Sequence, residues 1–393
     1  MWRDLWSLDP TIRFLNHGSF GACPVAVLEK QARIRTQIEA EPVRFFSREL
    51  EPALDGVRLR LARFLVADPA DLVFVRNATM GVNAVLRSLS IPAGAELLTT
   101  DHEYNACRNV LDYVAERAGA TVVVAEVPFP LRSPEEVVER VLRAASPRTF
   151  LALIDHVTSP TGLVLPVEEI VRGLGARGVK TLIDGAHAPG MLDLRLDELG
   201  ADYYTGNCHK WLCTPKGAAF LHVRRSEQPF IRPTSISHGA NSLRTDKSRF
   251  LLEFDWTGTD DPSAILCIPE SIDAMSQLLP GGMAELRQHN RALALAGRKI
   301  VCDAVGASAP CPDSMIGSLA AVPLPDGRTS EMSPLYGDPL QDALLDRFQI
   351  EVPVVPWPGP PKRLVRIAAQ IYNTETEYSE LASALKDLLA EGL

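Results

Sequence analysis

The feature that most constrains this chain is a repeated alternation between residues 71 and 223. Short apolar runs at 71–75, 96–100, 121–127, 149–155, 179–183 and 217–223 read as buried strands, too short for core helices. Between them lie amphipathic stretches, one opening at Val82 and others at 105–118, 133–145 and 167–177. The 133–145 stretch opens on Ser133-Pro-Glu-Glu136, a capping box with proline at the first helical position. Alternation of this kind predicts an α/β fold, a mainly parallel sheet with helices on both faces. In such a sheet, ligands gather at the carboxyl ends of the strands. The polar residues fall there: Ala78-Thr79, His102, Ser159, Asp184, and Lys210 after a short strand at 202–207.

The flanks differ from this core. Phe14-Leu-Asn16-His17-Gly-Ser-Phe-Gly21 sets two glycines among small polar residues, which suits either an ordinary turn or a backbone passing close to a ligand. Pro24 starts an amphipathic helix running to about residue 39, Glu41-Pro-Val-Arg44 breaks it, and 54–65 reads as a second helix. After about residue 275 come a long helix at 283–305, strands near 318–324 and 364–368, and a helix near 340–348. A second capping box, Thr374-Glu-Thr-Glu377, opens the last helix. Three parts are expected: an N-terminal site segment at 1–23, a large ligand-binding domain at 24–275, and a small α/β domain at 276–393.

At 393 residues the chain has room for such a pair of domains, and 46% hydrophobic content gives it a sizeable core. A net charge of -9 argues against a nucleic-acid or anionic-membrane partner. No run is long and apolar enough to span a bilayer, and Met1-Trp-Arg-Asp4 lacks signal-peptide character. Seven cysteines without a C-x-x-C pair predict reduced thiols in a cytoplasmic setting and no metal site.

The most specific word is Asp202-Tyr-Tyr-Thr-Gly-Asn-Cys-His-Lys210-Trp211. A desolvated lysine has a lowered pKa and can form a Schiff base with a carbonyl. Lys210 is therefore a candidate to hold pyridoxal phosphate (PLP), the alternative being a surface lysine after an edge strand. PLP asks a protein for that lysine, an anion beside its pyridine nitrogen, a phosphate cup and a flat group over its ring. Asp184, in a glycine-flanked turn, suits the nitrogen unless it only caps the next helix. The turn at Ala78-Thr79 opens a helix, whose free N–H groups and dipole suit a phosphate. Asn207 and His209 can add donors to it. His102 can lie over the ring, or be a solvated loop histidine.

Together these words resemble the class V aminotransferase group of PLP enzymes of fold type I, and within it the isopenicillin N epimerase-like proteins. The matching words are Leu15-Asn-His-Gly-Ser-Phe-Gly21, Thr100-Asp-His-Glu-Tyr-Asn105, His156-Val-Thr-Ser-Pro-Thr-Gly162, Ile183–Pro189 and Gly206-Asn-Cys-His-Lys-Trp-Leu212. Phe254-Asp-Trp-Thr-Gly-Thr259 resembles the group's Gly-Thr segment, and Val365-Arg366-Ile-Ala-Ala-Gln-Ile-Tyr-Asn373 its carboxylate-gripping arginine stretch. The resemblance implies that Lys210 bonds PLP and Asp184 faces its nitrogen. His187 and Ser159 would lie near the ring hydroxyl. Ala78, Thr79, Asn207 and His209 would hold the phosphate, joined by Thr259 from a partner chain. His102 would stack on the ring, with Tyr104 as the alternative. Arg366 would bind the substrate carboxylate, with Asn16 and His17 on the substrate side. A homodimer and a small amino-acid-type substrate are implied as well.

One departure narrows the reading. Desulfurases of the group carry a mobile cysteine shortly before the carboxylate arginine, whereas residues 351–363 hold none. Two chemistries at the α-carbon of an amino acid or amino-acid-bearing compound are then expected: epimerisation, or carbon–sulfur lysis of a cysteine conjugate or sulfoxide. A non-catalytic binding protein that kept the fold is the rival from another class, and intact Lys210, Asp184 and Arg366 argue against it.

Overall fold

The computed structural model describes residues 2–328 and 337–393. The first strand, Arg13–Phe14 (β1), precedes the central sheet. That sheet comprises Leu72–Val75 (β2), Glu96–Thr100 (β3), Thr121–Ala125 (β4), Thr149–Asp155 (β5), Lys180–Asp184 (β6), Tyr203–Asn207 (β7) and Ala219–Val223 (β8). Leu319–Leu324 (β9), Ile350–Glu351 (β10), Val354–Pro356 (β11) and Arg363–Ala368 (β12) follow. The central order is β2-β8-β7-β6-β5-β3-β4. Strands β3 to β7 run parallel, and β8 runs against both its neighbours. The mainly parallel α/β sheet read from the sequence is therefore present, with one reversed strand that the apolar pattern did not reveal.

Apolar residues on both faces explain why the sheet is covered twice. Leu97, Leu151, Leu153 and Leu182 pack with Val82, Val85 and Leu111 from the helices Ala78–Ser88 and Asn105–Ala118. Their strand neighbours Leu98, Ala152, Ile154 and Ile183 point the other way, toward Val137 and Val141 of Pro134–Ala144 and Ile170 and Leu174 of Val167–Gly175. Each fully buried Leu, Val or Ile contributes about 1.5–3 kcal/mol.

Helix ends were less legible. The break at Glu41 is brief: its side chain caps Pro42–Arg44, and winding continues through Phe45–Glu49 into Leu50–Leu65, ahead of the expected start at 54. The Ser133 box is a correction. The helix starts at Pro134, but the Ser133 side chain makes no cap bond, and Glu136 instead accepts from the Arg132 backbone N–H at 3.3 Å. The Thr374 box forms fully.

Strands β11-β12-β9 make a second, antiparallel sheet, against which Gly282–Val305 packs, itself packed on Glu375–Ala390. Strand β1 pairs in parallel with β10, and Leu15 accepts from the Ala368 N–H at 2.9 Å. The N-terminal segment thus carries His17 and Ser19 between the Lys210 connection and β12. Among the described residues no helix is long and apolar enough to cross a membrane.

Candidate active site

Lys210 sits where the chain turns back from β7 into the reversed β8. Backbone bonds from Cys208 and His209 N–H to the Ala218 carbonyl, and from Cys213 N–H to the Lys210 carbonyl, fix this connection. The amine lies 3.0 Å from His187 Nε2, and Trp211 Nε1 donates to His187 Nδ1 at 3.2 Å. An indole N–H only donates, so Nδ1 accepts and the neutral ring carries its proton on Nε2. That proton points at Lys210 Nζ, which can accept it only as a neutral amine. Burial, with the Arg366 charge adding, pushes the Lys210 pKa down to about 8. Burial also holds His187 well below the ordinary histidine range.

Asp184, at the end of β6, is buried and accepts from the Cys107 thiol at 3.1 Å and the Ala186 N–H at 2.9 Å. Burial raises its pKa, opposed by the Cys107 and Ala186 hydrogen bonds and by Lys210. Gly185 next to it has no room for a side chain: a Cβ would lie 2.2 Å from the Tyr204 hydroxyl.

At the β2 end, Asn77 caps the helix Ala78–Ser88 through the Met80 N–H at 2.8 Å. Asn207, at the end of β7, accepts from the Ala78 N–H at 2.8 Å. These bonds tie the helix start, with Thr79 in its first turn, to the strand that leads into Lys210. His209 turns its Nδ1 to the Ala218 carbonyl at 3.0 Å, and burial lowers its pKa to about 4.

His102 is 1% exposed, with one ring nitrogen on Thr161 Oγ1 at 2.7 Å and the other on the Val127 carbonyl at 2.9 Å. Both nitrogens are thus engaged within the protein, and the ring is rigid. Tyr104 is 44% exposed at the start of the next helix. Of the two flat candidates, only His102 is fixed in the interior.

Arg366, on β12, reaches the strand ends from the second sheet. Its guanidinium donates to the Ser159 carbonyl at 2.6 Å and hydroxyl at 3.3 Å, and to Ser19 Oγ at 2.9 Å. Ser159 is therefore tied to the arginine. His17 spans the Tyr372 hydroxyl at 2.8 Å and the Lys210 carbonyl at 3.0 Å, while Asn16 donates to Glu351 at 2.9 Å and accepts from Ser19 at 2.6 Å. Thr259 lies in the turn after Gly258, whose Asp260 pairs with Arg76, the residue before Asn77.

Sequence reasoning assigned no role to Cys107, Glu103, Trp211 or Ser19. Cys107 and Glu103 sit four residues apart in the segment after β3, beside the strand ends, and that position was the available signal. Ser19 lay within the quoted N-terminal word, but its bond to Arg366 joins residues that sequence alone does not bring together.

Residues 22–304 match the model of the family described as Aminotransferase class-V. The isopenicillin N epimerase of Amycolatopsis lactamdurans is 38% identical, covering 98% of this chain and 97% of that protein. A probable chloroplastic L-cysteine desulfhydrase of Arabidopsis thaliana is 30% identical over 98% of this chain and 84% of its own length. In fold, the chain is similar to a solved C-DES mutant with glycine covalently linked to its PLP cofactor, at a TM-score of 0.80, 21% identity, and coverage of 98% and 99%. With a family match over most of its length and relatives that span it end to end, this chain belongs to the aminotransferase class-V family and is a PLP-dependent enzyme of fold type I.

Proposed function

We propose that this enzyme removes the α-proton of an amino acid or amino-acid-bearing compound and returns it, as an isopenicillin N epimerase-like isomerase. The observation that carries the reading is the Lys210 amine, neutral in part at physiological pH, 3.0 Å from His187 and under the charges of Arg366 and Asp184.

The residues fit PLP by their chemistry. Lys210 offers the amine, and Asp184 offers a buried carboxylate that Cys107 and Ala186 already orient. The Ala78 N–H is given to Asn207, and the first turn beside it, at Thr79, offers donors for a phosphate. His102 offers a fixed flat ring. Bound there, PLP supplies an electron-withdrawing ring that spreads the charge left on a deprotonated α-carbon.

The chain's own residues then have separate tasks. Arg366 grips the substrate carboxylate as a planar two-pronged donor, and Ser159 and Ser19 hold it in place. Lys210, its pKa lowered by burial, would serve as the neutral base at the α-C–H bond. Holding the carboxylate fixes that bond's direction relative to the base. His187 keeps its Nε2 proton toward the amine because Trp211 occupies Nδ1.

Carbon–sulfur lysis is the second reading, favoured by the 30% identical desulfhydrase relative. It uses the same proton removal, followed by loss of a β-sulfur group. Persulfide chemistry is disfavoured: all seven cysteines are free and buried, and none lies in the stretch before Arg366. Reduced thiols also fit a cytoplasmic enzyme. A homodimer that shares its site through Thr259 completes the proposal.

The test is turnover of candidate substrates in heavy water. Deuterium at the α-carbon of an intact, stereo-scrambled substrate supports the epimerase. Pyruvate with a released sulfur species supports the lyase. Decarboxylation or transamination without either product overturns both.

A further inference from the structure

We infer that Glu103 shares a single proton with Asp184 and acts as the positioning residue that sets the charge of that carboxylate. The inference about the pair stands on geometry alone, and its consequence for the cofactor rests on the reading of Asp184 as the partner of the ring nitrogen. Acceptor oxygens of Glu103 and Asp184 and the Cys107 sulfur lie within 4.8 Å of one another, all buried. Two carboxylates this close, out of water, cannot both ionise cheaply.

The placing of the donors decides which one keeps the proton. Asp184 accepts from the Cys107 thiol and the Ala186 N–H, one on each oxygen. Glu103 accepts from Thr99 Oγ1 at 3.0 Å and from the Tyr104 backbone N–H, but its Oε1 is buried with no hydrogen-bond partner. Asp184 is therefore the better-stabilised anion, and the proton stays on Glu103.

The surrounding charges agree. Asp155, at the end of β5, is buried with an unpartnered Oδ2, and burial, then the Glu103 and Asp184 charges, raises its pKa well above the ordinary carboxyl range, so it brings no relief. The cations that face the pair are Lys210, itself discouraged from charging by burial, and Arg108 on the helix Asn105–Ala118. Behind Gly185, Tyr204 donates to or accepts from His156 at 2.8 Å, and burial keeps both of these rings neutral. Burial, then the Asp184 charge, raises the Glu103 pKa well above the ordinary carboxyl range.

A proton on Glu103 is a reserve. When a cationic ring nitrogen lies against Asp184, the pair can lose that proton to solvent and present a second negative charge. A pair able to reach two charges keeps the ring nitrogen protonated to higher pH than Asp184 alone.

The first test uses the wild-type protein stripped of PLP. Its infrared spectrum at pH 7 is expected to show the carbonyl stretch of a protonated carboxyl, and this band should be diminished in E103Q. No such band in the wild type, or an unchanged band in E103Q, overturns the shared proton. The second test titrates the absorption spectrum of bound PLP with pH. E103Q should shift the ring-nitrogen transition to lower pH by about one unit or more. An unshifted transition alongside a confirmed shared proton overturns the link to the ring and leaves the pair itself intact.

Discussion

Lys210 and Asp184 show how burial, rather than residue type, sets the chemistry. An exposed lysine titrates near 10.4, and burial brings Lys210 down to about 8. Protonated lysine has no lone pair, so capture of PLP by the apo-protein should speed up as pH rises and level off above about 8. Stopped-flow absorbance measures this, and a rate still climbing at pH 10 would contradict the lowered value. Asp184→Asn should retain PLP, since Lys210 and the helix start are untouched, but turn over about 100-fold slower or worse, because the neutral amide no longer supports a cationic ring. Wild-type turnover in that variant would reduce Asp184 to a structural cap. Both positions stood out in the sequence, because Asp184 ends a strand and Lys210 follows one by a short turn. Cys107 and Glu103 did not, because the helix pattern gives their spacing but not that they face the end of β6, two strands away in the sheet order β6-β5-β3.

At the scale of elements, the helix Ala78–Ser88 and strand β7 form a tight joint. A Cβ on Gly81 would lie 2.2 Å from Thr205 Oγ1, so the helix approaches the strand as closely as a bare backbone allows. Gly81→Val should cost about 1–3 kcal/mol through overpacking. It should also displace the helix start and weaken PLP binding, which thermal unfolding and equilibrium titration with PLP would measure together. A destabilised variant with unchanged PLP affinity would separate this joint from the phosphate site. The strands read from the sequence lie within about two residues of those observed because apolar runs mark them, whereas the short β1, β10 and β11 were not read. The reversal of β8 was not, since a strand buried on both faces reads alike in either direction. The Ser133 box misled for a local reason, as Glu136 found the Arg132 backbone instead.

Across the whole molecule, the site draws on three distant parts of the chain: His17 and Ser19 near the start, the strand ends of the central sheet, and Arg366 near the end. The pairing of β1 with β10 and the Leu15–Ala368 bond make this convergence possible. Sequence patterns identified each part, but they did not show that Ser19 meets Arg366 or that His17 meets Tyr372, because each bond spans more than 300 positions. A dimer is expected by sedimentation, and a monomer with full activity would count against a shared site. In the proposed reading, one buried lysine organises all three parts. Borohydride reduction of the PLP-loaded protein, followed by digestion and peptide mass spectrometry, tests that most directly. The PLP adduct should lie on Lys210, and should vanish in a folded Lys210→Ala variant. An adduct on Lys216, whose amine instead meets the Gly21 carbonyl at 2.9 Å, or on any other lysine, would contradict it.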